Sequence, residues 1–201
     1  MANHVYFNVN VKTNDPKVEK AFEEVMVMEE ITRPFYASED TYTVKELIDI
    51  DRLAFMPEGK YDSDDYLENS WDYYVNNVGA KWCHIEDVDH DNLFFSGYSA
   101  WSPPIQLIEN LQNYLEFYGE VSIRMTYDDE GWCFVGVANG EGDCEELEDS
   151  DIDGLLLEEL DLEELPDDWE DNEEIFKKLG DIEPREWLEN RICEWQDEID
   201  L

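Results

Sequence analysis

Basic residues are few in this chain. Thirteen Lys and Arg stand against 54 Asp and Glu in 201 residues, a formal net charge of −41. Like-charge repulsion makes DNA, RNA and anionic membranes poor direct partners. Long apolar runs are also missing: no window approaches 18 consecutive apolar residues, so no transmembrane helix is expected. The start, Met-Ala-Asn-His-Val-Tyr-Phe, lacks a basic n-region and an apolar h-region, so no signal peptide is expected and a cytoplasmic location follows. The four cysteines, Cys83, Cys133, Cys144 and Cys193, are widely spaced and form no C-x-x-C pair. In a reducing compartment they read as free thiols. Histidine is limited to His4, His84 and His90, with no recognisable Ser-His-Asp order. G-x-S-x-G, P-loop and G-x-G-x-x-G motifs are absent. A zinc site from Cys83, His84 and His90 is disfavoured, because strand alternation sends 83 and 84 to opposite faces. No catalytic residue, metal ligand or cofactor is assigned, and the expectation is a protein that is not an enzyme.

What is present is enough apolar material for a core. The chain is 42% apolar and 13% aromatic, unlike acidic disordered proteins, which are poor in aromatics. Two hundred residues suit one domain with an appendage, or two small domains. Residues 1–138 hold 27 acids and 9 bases, whereas 139–201 hold 27 acids and 4 bases. The turn-rich Asn139-Gly140-Glu141-Gly142-Asp143 lies between them. The expected division is therefore 1–138, with an insertion at about 35–78, followed by an acidic helical region at 139–201.

Alternation of Val5, Phe7, Val9 and Val11 predicts a half-buried strand. Asn14-Asp15-Pro16 predicts a helix start, with Val18, Phe22, Val25 and Met26, and Ile31 if the helix runs that far, as its apolar stripe and Pro34 as its outer limit. Residues 35–78 suggest two short helices, one around Thr43–Ile48 and one carrying Asp64, Tyr66, Leu67, Trp71, Tyr74 and Val75. Strands are expected at 80–86 and 92–99, joined by the polar loop Asp87–Asp91. A helix follows Ser102-Pro103-Pro104, closed at Gly119. Two further strands, 120–127 and 132–138, are joined at Asp128–Gly131. The order βαββαβ plus one hairpin strand is the ferredoxin-like pattern: an α+β fold with an antiparallel sheet and two helices on one face. Beyond 139 the rhythm is helical, with runs around Leu155–Leu165, Trp169–Leu179 and Pro184–Ile199. Trp169, Trp187 and Trp195 are expected to pack.

One block is more specific than periodicity. It runs Gly79-Ala80-Lys81-Trp82-Cys83, then Ala100-Trp101-Ser102-Pro103-Pro104, then Tyr127-Asp128-Asp129-Glu130-Gly131-Trp132-Cys133-Phe134-Val135-Gly136. This resembles the ferredoxin-like domain of YubB-like proteins of bacteriophages and plasmids, over roughly residues 1–140. The resemblance implies fold and mobile-element origin. It implies no catalytic residues and does not extend to the acidic 139–201 segment.

That segment is the candidate site. Glu141 to Glu174 contains 19 Asp or Glu in 34 positions and no Lys or Arg. Ordinary solubility needs a net charge of only about 2–8, and excess charge destabilises the compact state. Were the segment helical, one charge would fall about every 2.7 Å, between the one-strand and two-strand phosphate spacings of duplex DNA. The expectation is a nucleic-acid mimic, a phage-type inhibitory interaction protein directed at a basic nucleic-acid-binding host protein or complex such as a restriction or CRISPR defence system. Glu158, Glu159, Asp161, Glu163, Glu164, Asp167, Asp168, Glu170, Asp171, Glu173 and Glu174 would contact the partner. The competing readings are a solvated acidic tail and halophilic adaptation. A further alternative is calcium or other divalent binding through 149–160, since Asp149-Ser150-Asp151-Ile152-Asp153-Gly154 matches the first six positions of an EF-hand loop. The twelfth position is Leu160 rather than Glu. Trp101 reads as a core residue at a helix entry.

Overall fold

A computed structural model describes residues 3–34, 41–47, 75–166 and 169–201. Strand β1 (His4–Lys12) buries Val5, Phe7, Val9 and Val11 and alternates with exposed or half-buried residues. Helix α1 (Pro16–Val25) starts where Asp15 accepts a bond from the Lys17 N–H at 2.9 Å, with Pro16 in the first turn. It buries Val18, Ala21, Phe22 and Val25.

The helix ends well short of Pro34. Met28–Pro34 is strand β2, paired antiparallel with β3 (Thr41–Leu47) in a separate two-stranded sheet. The expected helix around Thr43–Ile48 is thus corrected to a strand over 41–47. Register sets Ile31 opposite Val44 and Thr32 opposite Thr43, β-branched pairs that favour a ladder over a helix. The expected helix carrying Asp64, Tyr66, Leu67, Trp71 and Tyr74 lies outside the described residues.

The main sheet then forms from β4 (Cys83–Asp89), β5 (Phe94–Ala100), β6 (Ser122–Asp129), β7 (Phe134–Asn139) and β8 (Cys144–Glu148) together with β1, in the order β4-β5-β1-β6-β7-β8. Every pairing is antiparallel. Helix α2 (Ile105–Glu116) follows β5 and packs Leu107, Ile108, Leu111 and Leu115 into the same core as α1. The four strands β4-β5-β1-β6 with α1 and α2 on one face are the ferredoxin-like unit. Helix α2 ends at Glu116 rather than at Gly119. A Cβ on Gly119 would lie 2.5 Å from the Asp15 carboxylate that caps α1, so this glycine makes room for the neighbouring helix cap.

The A-W-S-P-P segment works as a clasp. Ser99 Oγ donates to the Ser102 carbonyl at 2.7 Å, and Ser102 Oγ donates to the Gly79 carbonyl at 2.7 Å. The Leu107 N–H reaches the Val78 carbonyl. Gly79 has φ of +89°, and an added Cβ would stand 3.2 Å from the Gln106 nitrogen. Side-chain bonds and a glycine turn therefore join the entry to β4 with the entry to α2.

Strand β8 was not foreseen in the sequence. The Asn139–Asp143 turn, where a division of the chain is expected, is a hairpin: Asn139 Oδ1 accepts the Glu141 and Asp143 N–H groups at 3.0 and 2.9 Å, and Gly142 takes φ of +89°. The chain reverses and adds a sixth strand. Helices α3 (Asp149–Leu160), α4 (Glu173–Lys178) and α5 (Pro184–Glu198) follow. They cover the second face of the sheet at its β6–β8 end, in a core of Val135, Ile152, Leu156, Leu160, Ile175, Leu179, Leu188 and Ile192. Trp132, Trp169, Trp187 and Trp195 pack against this core half-buried. No helix among the described residues is long and apolar enough to cross a membrane.

Candidate functional site

The acidic segment is anchored to the sheet through named contacts. Arg124 on β6 donates one guanidinium nitrogen to the Ile199 carbonyl at 2.8 Å and a second to the Gln196 carbonyl. The Arg fork thus binds the C-terminal carbonyls of α5, where a helix dipole favours a cation. Gln196 is buried and its amide donates to the backbone carbonyls of Tyr127 and Gly136 at 3.4 and 3.2 Å. Arg185 at the start of α5 lies over the Trp132 ring, 4.8 Å from its centroid. Helix α3 begins in a capping box between Glu148 and Asp151 and ends at Asp161 in the left-handed region, φ 53°. Asn172 caps α4 by accepting from Glu174 and Ile175 at 3.0 and 3.3 Å.

This scaffold displays most of the proposed partner-binding residues. Glu158, Glu159, Asp161, Glu163, Glu164, Glu170, Glu173 and Glu174 are all exposed, and Asp171 lies in a short 3₁₀ turn, Trp169–Asp171. Asp167 and Asp168 lie outside the described residues. The acids do not form the single helical array that the charge-spacing argument assumes. They are distributed over the end of α3, an irregular connection, the 3₁₀ turn and the start of α4, because Pro166 and the Leu156–Leu160–Ile175 packing bend the chain back over the sheet. Their local cations are already engaged. Lys177 faces Glu173 at 3.8 Å, Lys178 donates to the Leu160 carbonyl, Arg185 faces Glu189 at 3.9 Å and Arg191 faces Glu194 at 3.0 Å. These are the only four bases after residue 138, so most of the acids have no basic counterpart nearby in sequence. An open groove between α3 and α5 is lined by Leu155, Trp187, Glu158, Glu159, Glu194 and Asp197, among others.

The expected loop at 149–160 is corrected by the backbone. Residues 149–160 are a continuous helix, whereas an EF-hand loop must wrap its ligands around the ion from an extended turn. Asp151 is used in the capping box. Among the described residues, no group of three or more His, Cys, Asp or Glu converges to hold a metal. Of the expected Asp87–Asp91 loop, residues 87–89 belong to β4 and the turn begins at His90, where Asp89 accepts from the Asp91 and Asn92 N–H groups at 3.0 and 3.1 Å. The side-chain and backbone bonds from Asn92 hold its carboxyl below the usual range.

Charge crowding shows where the acidic layer meets the sheet. Burial, then Asp129 and Glu189, push the Asp128 carboxyl up to about 6. Burial and the charges of Asp197, Asp128 and Glu189 raise the Cys193 thiol. Asp129 itself is buried and accepts from the Gly131 and Cys133 N–H groups at 3.0 and 3.3 Å, closing the β6–β7 turn. Cys83 is buried and its thiol is pushed up by burial, the condition of an inert core cysteine.

Two groups of residues escaped the sequence reading. Arg124 and Gln196 carry the tail anchorage. A signal existed for the first: Arg124 is the one base between Trp82 and Phe176. The second group is an aromatic cluster on the sheet face away from α1 and α2, formed by His4, Tyr6, Trp82, His84 and Tyr98, with ring centroids 5.2 to 6.3 Å apart. Trp101, expected in the core, is 53% exposed, has φ of +72° and carries Lys81 Nζ 4.3 Å from its ring centroid. Its position in the clasp turn, not its hydrophobicity, decides where it points.

Residues 78–177 match the family model described as the ferredoxin-like domain in Api92-like protein. The chain therefore contains a ferredoxin-like domain, in agreement with the sheet order. The matched segment begins at Val78 and runs through β8 and α3 into α4, so it takes in much of the acidic segment that the sequence resemblance excluded. No curated protein and no solved structure matches the chain.

Proposed function

We propose that this protein is an acidic interaction protein that occupies the nucleic-acid-binding surface of a basic host protein. The observation that carries this reading is the display of the exposed Glu158, Glu159, Asp161, Glu163, Glu164, Glu170, Glu173 and Glu174 on a layer packed to a hydrophobic core and bolted by Arg124 and Gln196. A folded support loses less conformational entropy on binding than a disordered acidic tail would. Charge complementarity would speed association and disfavour nucleic acid as a partner. Phage or plasmid origin, and a defence nuclease as target, extend the proposal from the sequence resemblance.

The test is an affinity capture from bacterial lysate with wild-type protein and a variant carrying Glu158→Gln, Glu159→Gln, Glu163→Gln and Glu164→Gln. A nucleic-acid-binding protein that is retained by the wild type, weakened by salt and lost with the variant supports the proposal. Exposed charges are screened beyond roughly 8 Å at physiological ionic strength, so salt sensitivity is required. Retention indifferent to these four substitutions defeats it.

A further inference from the structure

Among the described residues, helices cover the second face of the sheet only at its β6–β8 end. Across the remaining strands runs one row in register: His84 opposite Tyr98, Tyr98 opposite Tyr6, Tyr6 opposite Asp128, and Asp128 opposite Val135, where the α3–α5 layer begins. The row passes from aromatic rings to a carboxylate and then to the helical layer. Tyr6 is 41% exposed although it lies in the strand between β5 and β6. His4, on the same face, faces Glu130 at 3.5 Å, placing a second carboxylate at the edge of the rings.

We infer that this aromatic face is a docking site for arginine side chains of a basic protein segment, an inference that rests on the proposed acidic interaction function. A tyrosine face beside carboxylates matches a guanidinium in two ways. The planar cation stacks on the ring, and its N–H fork pairs with a carboxylate. The protein already places one guanidinium over a ring, Arg185 over Trp132. Nucleobases also stack on aromatic sheet faces, but their phosphates would meet a chain of formal charge −41. The charge complementarity therefore selects a cationic protein segment. The acidic layer and the ring face adjoin at Asp128, so one extended basic surface could engage both.

Calorimetric titration of the full chain with octa-arginine and octa-lysine tests this, with Tyr6→Leu and Tyr6→Trp variants and indole and Tyr6 ring NMR signals as reporters. Planar stacking together with the carboxylate fork should favour octa-arginine over octa-lysine by about fivefold. Tyr6→Leu should reduce octa-arginine affinity about threefold with little effect on octa-lysine, and Tyr6→Trp should restore it. Equal affinity of the wild type for both peptides, an arginine preference unchanged in Tyr6→Leu, or Tyr6 shifts with a single-stranded oligonucleotide would overturn the inference. If neither peptide binds, the acidic interaction reading fails as well. If both bind equally, that reading stands and only the ring site is lost.

Discussion

Replacing Asp128 by Asn should stabilise the protein at neutral pH, against the usual expectation that altering a half-buried residue is harmful. Asp128 lies on β6 beneath the acidic layer, and burial together with Asp129 and Glu189 raises its carboxyl from 3.8 to about 6. A raised carboxyl pKa means that the folded state prefers the neutral form. Its favourable contribution is complete below 3.8, declines as pH rises toward 6, and is gone above that. At about 1.4 kcal/mol per pKa unit the full cost of ionisation would be about 3 kcal/mol. Partial exposure allows solvent screening, which roughly halves it to about 1–2 kcal/mol. Asn keeps the shape and removes the charge. At pH 7.5 the variant should melt about 2–8 °C higher, given about 2–4 °C per kcal/mol for a chain of this size. Calorimetric melting of both proteins from pH 4 to 8 provides the assay. The difference should be small near pH 4, grow toward pH 6 and then level off. A variant no more stable at pH 7.5, or an advantage independent of pH, would refute the electrostatic reasoning.

Further outcomes follow from the anchors and the tight turns. Arg124→Ala should cost about 2–3 kcal/mol by urea unfolding, since hydrogen bonds to charged donors are the stronger class. Arg124→Lys should recover only part of this, because an ammonium cannot span both carbonyls. Gly136→Ala should cost about 3 kcal/mol through overpacking, because its Cβ would stand 2.3 Å from Tyr127 Cζ; unchanged stability would show that the Tyr127 ring relocates freely. Millimolar calcium should leave the helical circular-dichroism signal unchanged and give no saturable heat, as the Asp149–Gly154 segment is already helix.

The ferredoxin-like core was legible because its signals are local and mutually consistent. Val5, Phe7, Val9 and Val11 alternate, Asp15-Pro16 caps α1, and Ser102-Pro103-Pro104 opens the way to α2. The Tyr127…Gly131…Phe134…Gly136 spacing was also visible, but its reason was not. Tyr127 crosses over Gly136 to donate its hydroxyl to Glu146 at 3.1 Å on β8, so the motif records a strand-to-strand contact. Strand β8, Cys-Glu-Glu-Leu-Glu, was hidden because Cys144 and Leu147 stand three apart and give no period of two, and Leu147 finds its place only against Val135 and the helical layer. The β2–β3 hairpin was misread because Val25, Met26 and Ile31 continue an apparent helical stripe past the real helix end. The exposed positions of the candidate acids followed from composition. Their support did not: Arg124 meets Gln196 and Ile199 across more than seventy residues of sequence, and no local pattern encodes that meeting. The aromatic face was similarly dispersed over three strands.

The most direct test of the account is competition between this protein and duplex DNA for the captured partner. If the exposed acids occupy the partner's phosphate-binding surface, increasing duplex should release the partner completely, and the two should never be found together on it. A stable ternary complex of protein, partner and duplex would contradict the account.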